Sequence, residues 1–154
     1  MGQTTFSGPV RSERGFTAVG SNAVVNITAE TTLTYADHVG RIIEINDADG
    51  AVTLPTITAA TIGAKYTFFV GTDATDLDIK TDGTDKFVGS VSVAGTTTKA
   101  FAPGATNDVI SMNGGTTGGD AGSYVEATAL ATAEYLVQGV LVGSGSVATP
   151  FADS

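Results

Sequence analysis

His38 is the single histidine of a chain that has no cysteine. A zinc site built on His and Cys, or a thiolate nucleophile, therefore has no ligands or atoms to draw on. A serine hydrolase would need His38 as its base. Its neighbours Asp37 and Val39-Gly40 stand just before a strand pattern, and that context favours a polar loop histidine over a catalytic one. The absence of cysteine also leaves the redox compartment open.

Carboxylates are the other chemical resource, and Asp73, Asp76, Asp78, Asp82 and Asp85 form the densest acidic stretch. Glycoside hydrolysis needs two carboxyl groups flanking a sugar bond in a cleft with aromatic walls, and the chain has no tryptophan to line one. The stretch also lacks the D-x-[DN]-x-[DN]-G spacing with a closing Glu that cradles calcium. Solvated turns are the reading it supports. The run Gly114 to Gly119 has the glycines of a phosphate loop but neither a lysine nor a following helix pattern, so a mobile surface loop is expected there. No cofactor or metal is implied, and the chain does not read as an enzyme.

The elements that would position any site read as strands joined by turns. Ala23 to Thr28 begins the series. Arg41 to Asn46 follows, joined through Asn46-Asp47-Ala48-Asp49-Gly50 to Ala51-Val52-Thr53-Leu54 in a hairpin signature that Pro55 closes. Alternation puts Tyr66, Phe68 and Val70 on one face of the next strand and Leu77 and Ile79 on one face of another. Phe87, Val91 and Val93 share a parity, Lys99 to Ala102 is a short extended piece, and Asn107 to Asn113 supplies Val109, Ile110 and Met112. Ser123 to Leu130 and Glu134 to Val142 form a closing hairpin. The one helical candidate, Ile57 to Gly63, is β-branched and reads as a single turn. Turns every eight to twelve residues, with no βαβ alternation and no fixed repeat period, predict an all-β fold. The expected architecture is an antiparallel β-sandwich or barrel, jelly-roll-like, with an extended N-terminal arm.

The chain has 154 residues with a formal net charge of -9, the size of one domain able to bury on the order of two-thirds of its unfolded surface. Seven cations cannot supply the basic face that nucleic-acid binding needs. No apolar run reaches the roughly 20 residues that span a bilayer, and no signal-peptide core is present at the N-terminus. Neither a nucleic acid nor a membrane is expected as a partner. The division expected is an arm over residues 1–22 and a single β domain over 23–154.

That arm alternates nowhere and holds spaced apolar residues among two of the seven cations, with Arg11 and Arg14 set against Glu13. Too sparse for a core of its own, it reads as a segment that docks on another surface. Phe6, Pro9, Val10, Arg11, Arg14 and Phe16 are its candidate contacts. Among the remaining aromatics, those at strand parity read as core, while Phe151 lies outside the strand patterns and is a candidate oligomer or surface contact.

Several runs carry a resemblance. They are Gly50-Ala51-Val52-Thr53-Leu54-Pro55, Gly63-Ala64-Lys65-Tyr66-Thr67-Phe68, Asp76-Leu77-Asp78-Ile79, Asp82-Gly83-Thr84-Asp85, Gly122-Ser123-Tyr124-Val125-Glu126 and Tyr135-Leu136-Val137-Gln138-Gly139. Together they resemble small β modules of tailed-phage structural proteins, found in fibres and capsid decorations. Tyr135 departs from that pattern, since such modules often have tryptophan there. The opening Phe6 to Phe16 is similar to the start of short head or virion proteins of marine phages. The resemblance implies an all-β protein, often a homotrimer, that binds a virion surface and has no catalytic residues. The expectation within that group is a capsid decoration, or cement, protein on the outer capsid surface, assembled in the host cytoplasm. Its partner would be the major capsid protein, stapled by the arm. A tail fibre or receptor-binding module recognising host glycans is the alternative. A bacterial sugar-binding module is a third class, for which neither an aromatic platform nor a secretion signal is evident.

Overall fold

The computed structural model describes residues 20–154. One turn of 3-10 helix, Ser21–Ala23, leads into twelve strands: β1 Val24–Ile27, β2 Thr31–Thr32, β3 Ile42–Ile45, β4 Ala51–Thr53, β5 Lys65–Val70, β6 Leu77–Lys80, β7 Lys86–Ala94, β8 Thr98–Phe101, β9 Val109–Met112, β10 Tyr124–Ala131, β11 Glu134–Val142 and β12 Phe151–Ala152. They form a seven-stranded sheet in the order β1-β3-β5-β10-β11-β7-β8 and a five-stranded sheet in the order β12-β9-β6-β4-β2. The fold is all-β, as the strand-rich patterning predicts.

The pairing corrects the expected antiparallel architecture: both sheets are mixed. β1, β3 and β5 run parallel in the large sheet, and β2, β4 and β6 run parallel in the small one. Successive strands of the first half therefore alternate between the sheets, and the chain winds through three coils. Asn46 to Gly50 accordingly carries the chain from the large sheet to the small one instead of closing a hairpin. In the large sheet the windings advance by 18 residues, from Val24 to Ile42, and then by 25, from Ile42 to Thr67. In the small sheet they advance by 21, from Thr31 to Val52, and then by 27, from Ala51 to Asp78. Coils of unequal length leave no fixed repeat in the sequence, which hides parallel winding from a search for periodicity.

The second half locks these coils from the side. The hairpin of β10 and β11 forms as patterned and inserts whole between β5, antiparallel to β10, and β7, parallel to β11 over Glu134 to Val142. Ala133, at φ 67, turns that hairpin. In the small sheet β9 pairs antiparallel with β6, and β12 with β9.

Inward side chains from both sheets form one hydrophobic cluster that includes Ile43, Ile45, Tyr66, Phe68, Leu77, Ile79, Phe87, Ile110, Met112 and Val137. Each fully buried side chain of this size contributes about 1.5–3 kcal/mol of transfer free energy. The predicted parities of Tyr66, Phe68 and Val70, of Leu77 and Ile79, and of Phe87, Val91 and Val93 all fall on this inner side. Tyr66 and Tyr135 meet edge to face, with ring centroids 6.3 Å apart, and the Tyr135 hydroxyl donates to the Pro55 carbonyl at 2.6 Å. The phenol ties the inner ring of Tyr135 to the chain just after β4.

Two local features differ from expectation. A four-residue helix, Tyr35–His38, stands where no helix is patterned; Thr34 caps it by accepting from the Asp37 amide. Residues 59–63 form the turn expected within Ile57 to Gly63. The glycine run is no mobile loop either: Gly118 and Gly119 are buried. Gly119 sits at φ +104, with the position of a Cβ only 2.6 Å from Met112 Cβ and 2.8 Å from Ala74 Cβ. Glycine is there because the backbone itself fills the space against the core.

Candidate functional site

Several side chains with catalytic potential are bonded to neighbouring backbone or cap groups. His38 Nδ1 lies 3.0 Å from the Thr34 amide, and the Thr34 hydroxyl donates to Asp37 at 2.9 Å. All three residues belong to one helical turn and its cap, with His38 Nδ1 against the Thr34 amide.

The acidic stretch is dispersed over separate turns and strands. Asp73 accepts the Ala121 amide at 2.8 Å, Asp85 accepts the Ile57 amide at 2.9 Å, and Asp82 accepts the Thr84 amide and hydroxyl at 2.9 and 2.6 Å. Asp78 projects from the outer side of the small sheet between Ala51 and Ser111, and its Oδ1 has no hydrogen-bond partner. Among the described residues no three His, Asp or Glu side chains converge in a way that could hold a metal ion.

The electrostatics follow from these bonds. Burial would raise the Asp82 carboxyl, but hydrogen bonds from Thr56, Thr84 and the Asp85 amide outweigh it and hold the group at about 2. Asp85, buried nearby, moves the other way: desolvation pushes it up against the Ile57 bond, and the charge of Asp82 adds to the rise. Asp108 is desolvated too, yet the Lys86 ammonium at 3.0 Å and the Ser154 amide and hydroxyl at 2.8 and 3.0 Å hold its carboxyl below the usual range. That carboxylate pins the chain's last residue to β9 and β7. Tyr66 is pushed up to about 12, first by burial and then by Tyr35.

Phe151 belongs to the same anchored tail and corrects its expected role. It pairs with Ile110 through β12, is 7 % exposed and packs in the core, so it is not available as an oligomer or surface contact. Isolated between Pro150 and Ala152, it offers no alternation by which a strand could be read. The other candidate contacts, Phe6, Pro9, Val10, Arg11, Arg14 and Phe16, lie outside the described residues.

An apolar patch on the surface gathers residues that the sequence reading left unassigned or took as core. The outer side of the large sheet carries Val24, Ile42, Phe69 and Tyr124, which line a shallow groove of about 320 Å³ together with Glu44 and Thr67. Register places them side by side, Val24 against Ile42, Ile42 against Thr67, and Phe69 against Tyr124. Beside them Glu126 accepts from Gln138 at 2.7 Å and Lys65 at 3.2 Å, and these partners keep its carboxyl below the usual range. The doubled apolar pairs Ile42-Ile43 and Phe68-Phe69 were the available signal, because adjacent strand residues face opposite ways and one of each pair must point outward.

No family model matches the chain, and neither a curated protein nor a solved structure matches it significantly. Among the described residues no helix is long and apolar enough to cross a membrane.

Proposed function

We propose that this chain is a phage virion structural protein that decorates and stabilises the outer capsid surface by non-covalent binding. In this reading a two-sheet β body stands on the shell, and an extended arm over residues 1–22 lies along the major capsid protein and staples its subunits. The observation that carries it is a contrast within one chain. In the body His38, Asp73 and Asp85 are bonded to caps and turns, while the N-terminal sequence sets Phe6, Val10 and Phe16 beside Arg11 and Arg14 ahead of an acidic body. Apolar anchors with arginines are the residue types that dominate binding energy at protein interfaces. Pro9 limits the conformations that the arm must surrender on binding. The resemblance of the strand runs to tailed-phage β modules supports the same reading, and attachment as a homotrimer would multiply the hold of each arm.

The test is binding to capsids stripped of this protein. Phe6→Asp combined with Phe16→Asp removes two anchors and should weaken binding by about 2 kcal/mol or more, roughly thirtyfold. Unchanged affinity rules the arm out as the staple. Imaging of purified virions separates this reading from a tail fibre or receptor-binding module, since decoration requires many copies spread over the head and the alternative a few at the tail.

A further inference from the structure

We infer that the groove on the outer side of the large sheet binds a small organic cation of the trimethylammonium type, held by the rings of Phe69 and Tyr124 and the carboxylate of Glu44. The face is apolar where a solvated face should be polar: Ile42 is 46 % exposed, Phe69 38 % and Tyr124 39 %, and Val24 and Thr67 complete the lining. Neighbouring exposed apolar side chains of this size mark a surface with an occupant.

Size, charge and ring content decide the class of occupant. At about 320 Å³ the groove stands at the lower end of small-molecule sites, which hold about 300–1,000 Å³. Six residues line it, where a stable protein interface takes about 20–30 a side. Register seats Glu44 beside Phe69 and Phe69 beside Tyr124, so the carboxylate and both aromatic residues lie in one row across β3, β5 and β10. Glu126, in the next row, is already matched by Lys65 and Gln138. The Glu44 carboxylate has no hydrogen bond or ion pair among the described residues, whose two ion pairs are Lys65 with Glu126 and Lys86 with Asp108.

An anion in the groove would meet that carboxylate, and a neutral apolar ligand would strip it of water without compensation. A compact, strongly hydrated cation would have to shed its own water against apolar walls. A cation whose charge is spread over methyl groups avoids all three costs. Its methyls pack on Val24 and Ile42, and its charge lies against Glu44 and the two rings, whose π-electrons attract cations. From residue 23 onward fifteen acids face five cations, a field that raises the local concentration of positive ligands.

Choline and its uncharged carbon analogue 3,3-dimethylbutan-1-ol share a shape and differ in charge. Titrated into the isotope-labelled full chain at constant ionic strength, choline should shift the amide signals of Ile42, Glu44, Phe69 and Tyr124 saturably, while those of β12 on the other sheet stay in place. The alcohol should bind about fivefold more weakly or worse, the factor that one charge pair at about 4 Å is worth even in water. Glu44→Gln keeps the shape of the side chain and should weaken choline about fivefold without changing the alcohol. Tyr124→Leu should weaken choline roughly two- to fivefold with the dispersion of the other signals kept. Equal affinity for choline and the alcohol overturns the inference, as does choline binding that Glu44→Gln leaves intact. The lack of saturable shifts in the groove overturns it too, as do shifts spread over the acidic turns. Co-sedimentation with phosphatidylcholine vesicles in the absence of any choline-induced shift assigns the face to a lipid surface and overturns it equally. The comparison of choline with the alcohol uses the parent chain and decides the matter even where a variant fails to fold. Failure of the capsid-binding test leaves these outcomes unchanged.

Discussion

Asp82 and Asp85 stand three positions apart at one turn and respond to pH in opposite senses. Asp82, held at about 2, contributes stability at pH above the ordinary carboxylate range and loses it as pH falls through about 2. Asp85, raised by burial and by Asp82, works against the fold while it is charged, and that penalty disappears as pH falls through its raised value. Asp85→Asn retains a carbonyl to accept the Ile57 amide and removes the buried charge. Its Tm should therefore rise above that of the parent at pH 7, and the gain should vanish in acid once the parent's Asp85 is protonated. Thermal melts across pH 3 to 8 check this, and a loss of stability at pH 7 would show that the charge itself is needed. Lys86→Met tests the partner logic at Asp108, whose side chain is only 3 % exposed. Leaving that carboxylate without its cation should cost about 2 kcal/mol, a fall in Tm of roughly 4–8 °C for a chain of this size. None of these environments is legible from sequence, because Asp82, Asp85 and Asp108 acquire their partners from residues as far away as Thr56, Ile57 and Ser154.

Alternation names the inner faces of β5, β6 and β7, since burial of one side of a pleated element forces period two on its apolar residues. The partner of each strand is another matter. The hydrogen-bonding edge of β3 looks the same from sequence whether β4 folds back beside it or crosses to the other sheet, and Asn46 to Gly50 has the turn chemistry for either path. The glycine run was equally ambiguous: it has the composition of a flexible loop, yet Gly119 lies against Met112 and Ala74. Gly119→Ala should cost about 2–3 kcal/mol through crowding and an unfavourable φ, measurable as a shift in urea midpoint with the slope unchanged. A tolerated alanine would mean that the segment gives way without cost. The helix Tyr35–His38 did leave a trace, the cap signature Thr34-x-x-Asp37, too short to stand out without an apolar stripe behind it.

Whole-molecule behaviour follows from how far apart in sequence the paired strands lie. β5 pairs with β10, and β7 with β11, so the large sheet cannot close until the last third of the chain has arrived. Loops of that length must be ordered before their contacts repay them, and refolding should take milliseconds to seconds. Stopped-flow refolding checks this, and a microsecond phase with full amplitude would contradict it. The acidic body, with few cations to offset it, resists close approach of its copies at low salt.

From sequence alone came the all-β class, the inner faces of β5, β6 and β7 and the closing hairpin, because each depends on residue type and short-range spacing. Tertiary structure decided that the first half winds as unequal parallel coils, that Phe151 anchors inside, and that Phe69 and Tyr124 meet on an outer face. Those facts depend on which distant strands become neighbours, and backbone hydrogen bonds, identical at every residue, carry no record of that choice in the sequence.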